Sequence, residues 1–211
     1  MKKILIALGF TLAAMSAQAA TLSLSNLGSV TFTTATGVGS TAGHDVITGA
    51  TGGTFGLLSV DMDTSFRATF LGKEANDVNF YVANGVNATG SGINDGVNSV
   101  SVGDSFTFDV LAGAINFGFN DTTTGVSASN IGDSINKIAY IANTGNYIDA
   151  ATGNPYAFLI GFNDSGSLDG DYDDYVIGVS AVPVPAALPL MASALGAFGI
   201  ARRRNKAKAA K

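Results

Sequence analysis

Cysteine and tryptophan are absent from all 211 residues, and histidine occurs once, as His44. Without cysteine no disulfide can staple the fold, and no thiolate is available as a nucleophile or zinc ligand. His44 lies beside Asp45 in a turn-rich stretch from Gly37 to Gly53 and reads as loop; one histidine builds neither a common zinc site nor a convincing Ser-His-Asp set. The phosphate-binding loop pattern is missing, and the scattered Gly-x-Gly pairs follow from a content of 27 glycines. Two carboxylates for glycoside hydrolysis can always be drawn from sixteen acids, but no tryptophan is present to line a sugar cleft. The chain is therefore not expected to be an enzyme.

Positive charge is scarce in the body of the chain. Eight of the eleven basic residues lie in the terminal segments, leaving Arg67, Lys73 and Lys137 among the 162 residues from Ala20 to Ala181. All sixteen acids lie in that same stretch, so it carries −13 although the whole chain carries −5. Such a surface repels phosphate backbones, which argues against nucleic acid as a partner. It attracts divalent cations, or simply keeps the protein soluble.

The amino terminus has the layout of a signal peptide. Met1-Lys2-Lys3 is basic, Ile4 to Met15 is apolar, and Ala17-Gln18-Ala19 is a small-x-small site, so signal peptidase is expected to leave Ala20 as the first mature residue. Twelve apolar residues are too few for a membrane span. Residues 20–181 then amount to one domain.

That domain is rich in Gly, Thr, Ser, Asn, Val and Phe and poor in helix formers, a composition of strands. Thr21–Leu24 and Val30–Thr34 alternate apolar with hydroxyl residues, Phe55–Asp61 resumes strand character, and Phe66, Ala68 and Phe70 share a face. Val78, Phe80 and Val82 point one way from the next strand, and Tyr81 the other, where its ring serves as packing or as a platform for a sugar. Phe106, Phe108 and Val110, then Ile115, Phe117 and Phe119, flank Ala112-Gly113 and read as a hairpin. Ile135–Ala142 reads as a further strand. The expected fold is an all-β antiparallel sandwich, with the jelly roll as one form of it.

The final hairpin is the most informative part. Tyr156, Phe158, Ile160 and Phe162 share a face, Leu159 and Gly161 leave the other face apolar too, and Tyr175, Ile177 and Val179 return alongside. A strand apolar on both faces belongs in the middle of a packed sheet. Its connection, Asn163 to Asp174, is long for a hairpin and contains Asp164, Asp169, Asp171, Asp173 and Asp174. Carboxylates this closely spaced repel one another unless a cation or water separates them. With Gly166 and Gly170 to fold the loop, they are candidate Ca2+ ligands; an EF-hand is excluded, because Asp174 replaces its glycine and Ser180 its glutamate. A solvated acidic loop is the other reading.

The last thirty residues form a separate unit. Val182-Pro183-Val184-Pro185-Ala186 precedes an apolar run from Ala187 to Ala201, and Arg202, Arg203 and Arg204 close it. A helix from Pro189 to Ala201 would be about 20 Å long, and counting from Val184 makes it just long enough to cross a membrane. This arrangement resembles the PEP-CTERM sorting domain in its VPLPA variant, with Val184 in place of Leu. The segment from Gly161 through Phe162, Asp164, Asp171, Tyr172, Asp173 and Asp174 to Val176 is similar to the close of uncharacterised surface proteins with that tag. The resemblance implies residues 182–211 acting as a transmembrane sorting signal, read by an exosortase that removes the helix. It further implies export across the inner membrane, transient anchorage until processing, and release to a cell surface or matrix associated with exopolysaccharide and biofilm. A structural or adhesive role is expected; a carbohydrate-binding module and an ice-binding surface, with Thr31, Thr33 and Thr34 as the nearest approach to a threonine ladder, are the alternatives.

Overall fold

The computed structural model describes residues 20–32, 46, 52–73, 78–83, 92–94, 101–132, 135–143, 145, 147–164, 170 and 172–182. They belong to one compact unit, Ala19–Pro183. The strands are β1 (Leu22–Thr31), β2 (Gly52–Val60), β3 (Thr64–Gly72), β4 (Asn79–Ala83), β5 (Gly92–Asn94), β6 (Ser105–Val110) and β7 (Gly113–Ala114). They continue with β8 (Phe117–Asp121), β9 (Ser127–Ser129), β10 (Ile138–Ile141), β11 (Ile148–Asp149), β12 (Asn154–Pro155), β13 (Phe158–Phe162) and β14 (Tyr175–Val182). Every pairing is antiparallel.

A large sheet runs in the order β1-β2-β10-β13-β14-β3-β6, with β7 joined to β2, and a second sheet runs β5-β4-β8-β9. Alternation sends Phe66, Phe108, Ile160, Phe162, Tyr175 and Ile177 to one face of the large sheet, where they meet Tyr81, Phe117 and Phe119 of the small one. Phe119 stacks on Phe162 with ring centroids 5.2 Å apart and planes 7° from parallel, and Phe66 stacks on Phe117 at 6.3 Å. These cross-sheet rings supply the largest apolar areas of the core. The architecture is a β-sandwich.

One polar residue is buried between the sheets. Asn130 is 3% exposed, and its amide addresses β2 as a neighbouring strand would. Oδ1 accepts the Leu58 N–H at 2.8 Å, and Nδ2 donates to the Leu58 carbonyl at 2.9 Å and the Ile115 carbonyl at 2.6 Å. The Tyr140 hydroxyl donates to the same Oδ1. Beside β2, β10 pairs at Thr54 and β7 at Ser59 and Val60, so Leu58 falls between two partners, and the amide together with the Ile115 N–H (3.0 Å) completes the ladder there.

The other face of the large sheet is also covered. Ile141, Tyr156, Leu159 and Val176 form a second cluster with Phe32, Val46, Leu71 and Tyr147. Gly178 leaves a hollow for the Tyr156 ring: a Cβ there would lie 2.7 Å from it. Asn143 holds this excursion, its Nδ2 donating to the carbonyls of Tyr147 (2.8 Å) and Tyr156 (3.0 Å). Burial on both sides is what the two-faced pattern of β13 and β14 predicts, and both strands stand in the sheet's interior.

Several expectations need correction. A jelly roll would divide its strands evenly, whereas among the described residues this sandwich sets eight strands against four. Phe106–Val110 and Phe117–Phe119 are not a hairpin: β6 pairs β3 and β8 pairs β4, the chain crossing between sheets through β7. Two apolar-alternating runs joined by a glycine look alike whether they pair or face each other across a core. Tyr156 does not share a face with Phe158, because β13 begins only at Phe158 and Tyr156 packs with Leu159 and Val176. Phe158 itself is only half-buried. Leu22–Leu24 and Val30–Thr31 belong to one strand, with Thr21 just before it and a bulge between Asn26 and Gly28; Thr33 and Thr34 lie outside the described residues. The flanking transmembrane helix and the membrane-anchored stage are withdrawn: no described helix is long and apolar enough to cross a membrane, the only one being the 3-10 turn Ile135–Lys137. The terminal segments that carried that expectation lie outside the described residues.

Replacing Asn130 by Leu would take away the core partner of the Leu58 N–H, the Ile115 carbonyl and the Tyr140 hydroxyl, while the Leu58 carbonyl keeps the Ile115 N–H. Asn130→Leu is expected to destabilise the domain by about 3–5 kcal/mol in urea unfolding, because each orphaned buried group costs about 1–3 kcal/mol and relaxation recovers part. Phe119→Ala is expected to cost about 3–5 kcal/mol and the half-buried Phe158→Ala distinctly less; equal losses would contradict the packing described.

Candidate functional site

The hairpin between β13 and β14 carries the acids singled out from sequence. Asp164 is 4% exposed at the foot of the connection; its N–H donates to Asp174 Oδ2 at 2.9 Å and its carbonyl accepts the Thr124 hydroxyl at 3.2 Å. Asp173 Oδ2 accepts the Val46 N–H at 3.1 Å. Asp169 and Asp171 lie outside the described residues. Among the described residues no three or more His, Asp or Glu come together as a ligand set for a metal.

The returning half of the connection is held by Tyr172. Its hydroxyl donates to the Asn136 carbonyl at 2.6 Å, and its ring lies 5.7 Å from that of Phe32 and 5.9 Å from that of Phe55. The backbone passes so close to β13 that a Cβ on Gly161 would lie 2.0 Å from the Tyr172 carbonyl oxygen. Only glycine permits that approach. Hydrogen-bonded aspartates and a buried tyrosine thus supply a reason for order that the acid spacing did not reveal.

Beside Asp164 stands Asp121, 2% exposed at the end of β8. Its carboxylate accepts the N–H groups of Thr123 (2.7 Å) and Thr124 (2.8 Å) and the Thr124 hydroxyl. Burial pushes this carboxyl up, but the bonds from Thr124 and Thr123 outweigh it and hold it below the ordinary carboxylate value. The group closes a turn and is fully engaged.

Other sequence-chosen residues are partly visible. Val182 ends β14, and its carbonyl accepts the Thr64 hydroxyl at 3.0 Å. Pro183, Val184, Pro185, Ala186, Arg202, Arg203, Arg204, Ala17 and Ala19 lie outside the described residues, as does His44. Ala20 is half-buried against the core beside the start of β1. Tyr81 is 1% exposed, a core residue and not a platform for a sugar. Burial, and then the neighbouring Tyr140, push its phenol well up, so it stays neutral.

No sequence pattern pointed to the ion pair between Arg67 of β3 and Asp149 of β11. Arg67 Nη2 donates to Asp149 Oδ2, with the side chains 12% and 2% exposed. Asp149 organises the turn after it: Oδ1 accepts the Ala151 N–H at 3.0 Å, and its carbonyl accepts those of Thr152 (3.1 Å) and Gly153 (2.8 Å). Burial raises this carboxyl, but Arg67, the Ala151 N–H and the Ser180 hydroxyl together bring it below its ordinary value. The one signal available was an arginine between Phe66 and Ala68, placed by alternation on the opposite face; its partner lies 82 positions away.

The turn so held walls a cavity of about 200 Å3. It is half open to solvent and is lined by Thr152, Asn154, Pro155, Ala157, Ser180 and Ala181 together with Ala20 and Leu22. Among the lining residues, Ser180 bonds Asp149 through its hydroxyl. No known protein family, no curated protein and no solved structure matches the chain.

Acid should unfold the domain in a defined window. Asp121 and Asp149 both have lowered folded values, so their stabilisation is present above the ordinary carboxylate value and lost as pH falls through the folded one. The urea midpoint is expected to fall between about pH 5 and pH 2, less steeply in Asp149→Asn; a flat midpoint across that range would contradict the assignment.

Proposed function

We propose that this chain is an exported extracellular protein with a structural or adhesive role in a polysaccharide-containing surface or matrix, and not an enzyme. The observation that carries the reading is the use made of buried polar groups. Asn130, Asp121 and Asp149 each close backbone or ion-pair contacts that hold elements together. An acidic, rigid sandwich of this kind suits persistence outside the cell, where cysteine-free packing needs no redox control.

On this reading, signal peptidase removes the segment before Ala20, and Val182–Ala186, which begins at the last residue of β14, is the sorting motif read by an exosortase. Calcium bound by Asp164, Asp169, Asp171, Asp173 and Asp174 would stabilise the connection from which β14 starts. The support is five acids in one connection of a −13 domain, with glycines to fold it. A stacking-platform carbohydrate module is less favoured, since the exposed large apolar residues among those described are Leu27, Val102, Leu111, Ile131 and Ile148, none aromatic. An ice-binding plane is disfavoured by the bulge in β1.

Two measurements test the proposal. Intact-mass analysis of protein from the native surface is expected to show a start at Ala20 and loss of everything beyond about Ala186; Arg202–Arg204 still attached would end the sorting reading. Millimolar calcium is expected to raise the unfolding temperature, with magnesium doing less and sodium at matched ionic strength doing least. An equal rise with sodium would mean screening alone.

A further inference from the structure

We propose that the cavity between the β11–β12 hairpin and the end of β14 binds a single neutral sugar residue, such as the end of a polysaccharide chain. This rests on the adhesive reading above and names the ligand class it would take. The first support is the way the wall is held. Arg67 is the only arginine between Ala20 and Ala181, and it is buried to pair with Asp149 of a two-residue strand. Buried pairs add little net stability because both charges lose water, and their best-attested return is a fixed geometry. Here the geometry fixed is the turn carrying Thr152 and Asn154, while Ser180, the cross-strand neighbour of Arg67, also lines the cavity.

Chemistry narrows the occupant. An anion would meet the α-ammonium of a chain that begins at Ala20, but also the field of a −13 domain whose Arg67 is already neutralised by Asp149. A cation would find that same carboxylate engaged by Arg67, Ser180 and the Ala151 N–H. The side chains of the lining are neutral: the Ser180 hydroxyl gives its proton to Asp149 and keeps an oxygen that accepts, and the Thr152 hydroxyl, which already takes the Asn154 N–H, and the Asn154 amide stand with it against the apolar Ala157, Ala181 and Pro155. A sugar ring matches this with hydroxyls on its rim and C–H groups on its faces. The volume, about 200 Å3, falls below the ~300–1,000 Å3 of a drug-sized site and leaves room for one ring. With no exposed aromatic among the described large apolar residues, recognition falls to a socket and not to a stacking platform.

The purified native protein, titrated with neutral hexoses and N-acetylhexosamines and followed by saturation-transfer NMR, is expected to bind at least one of them in the millimolar range. Uronic acids and unacetylated amino sugars should bind more weakly. Ala157 is exposed, so Ala157→Leu fills the socket without touching the core; it is expected to weaken binding at least about tenfold while leaving the unfolding temperature unchanged. If that variant misfolds, Asn154→Ala serves as the second probe, with the same direction of effect. Absence of transfer to every sugar, equal binding by a filled socket, or a preference for charged sugars would each overturn the proposal. Retention of the protein on a native polysaccharide in the face of such a failure would leave the adhesive role standing and place it elsewhere on the surface.

Discussion

The sandwich depends on the pairing of β2, because three elements converge on its inner edge and none covers it alone. β10 reaches it at Thr54, β7 at its last two residues, and Leu58 between them faces the Asn130 side chain. A buried peptide group without a partner is among the larger penalties a fold can carry. The Asn130 amide has the donor and acceptor of a peptide unit and sits just beyond β9, so it joins the small sheet to the large one where the ladder would otherwise break. With the Tyr140 hydroxyl on its Oδ1, the amide has partners on both sides. The aromatic interface supplies most of the burial, and this polar contact selects one register for it.

A second constraint comes from covering the large sheet on both faces in a chain of this size. The small sheet covers one face; the other is covered by segments with little regular structure of their own. Glycines in the central strands let tyrosines from those segments come close, Tyr156 over Gly178 and the Tyr172 backbone over Gly161. The segments are held by side chains that bond backbone: Asn143 for the excursion after β10, Asp149 for the short hairpin, Asp173 and Asp174 for the return into β14. The acids thus have architectural work at both ends of the sheet, apart from any cation they bind.

That division also separates the two regions where ligands are proposed. β14 runs from Tyr175, beside the acidic connection, to Val182, beside the cavity and the start of β1. Eight extended residues span about 25 Å, so the acidic pole and the socket are at opposite ends of the domain. A contact at one leaves the other accessible, which suits a protein placed between a surface and a polysaccharide.

Local sequence was enough to determine the all-β character and the inward positions of Phe66, Ala68, Phe70, Ile160, Phe162, Ile177 and Val179. It also placed β13 and β14 in the sheet's interior. Each follows from period-two alternation, or from apolar residues on both faces of one strand, and both are properties of neighbouring residues. The acids of the last connection were equally plain as a cluster. Tertiary structure alone decided which runs pair: β6 and β8 read as a hairpin and lie in different sheets, because alternation states which face is apolar and not which strand stands alongside. It alone matched Arg67 with Asp149, Asn130 with Leu58 and Tyr172 with Gly161. A buried polar group or a hollow over a glycine is satisfied by whatever the fold brings near it, and over separations of 82, 72 and 11 residues no local pattern carries that information.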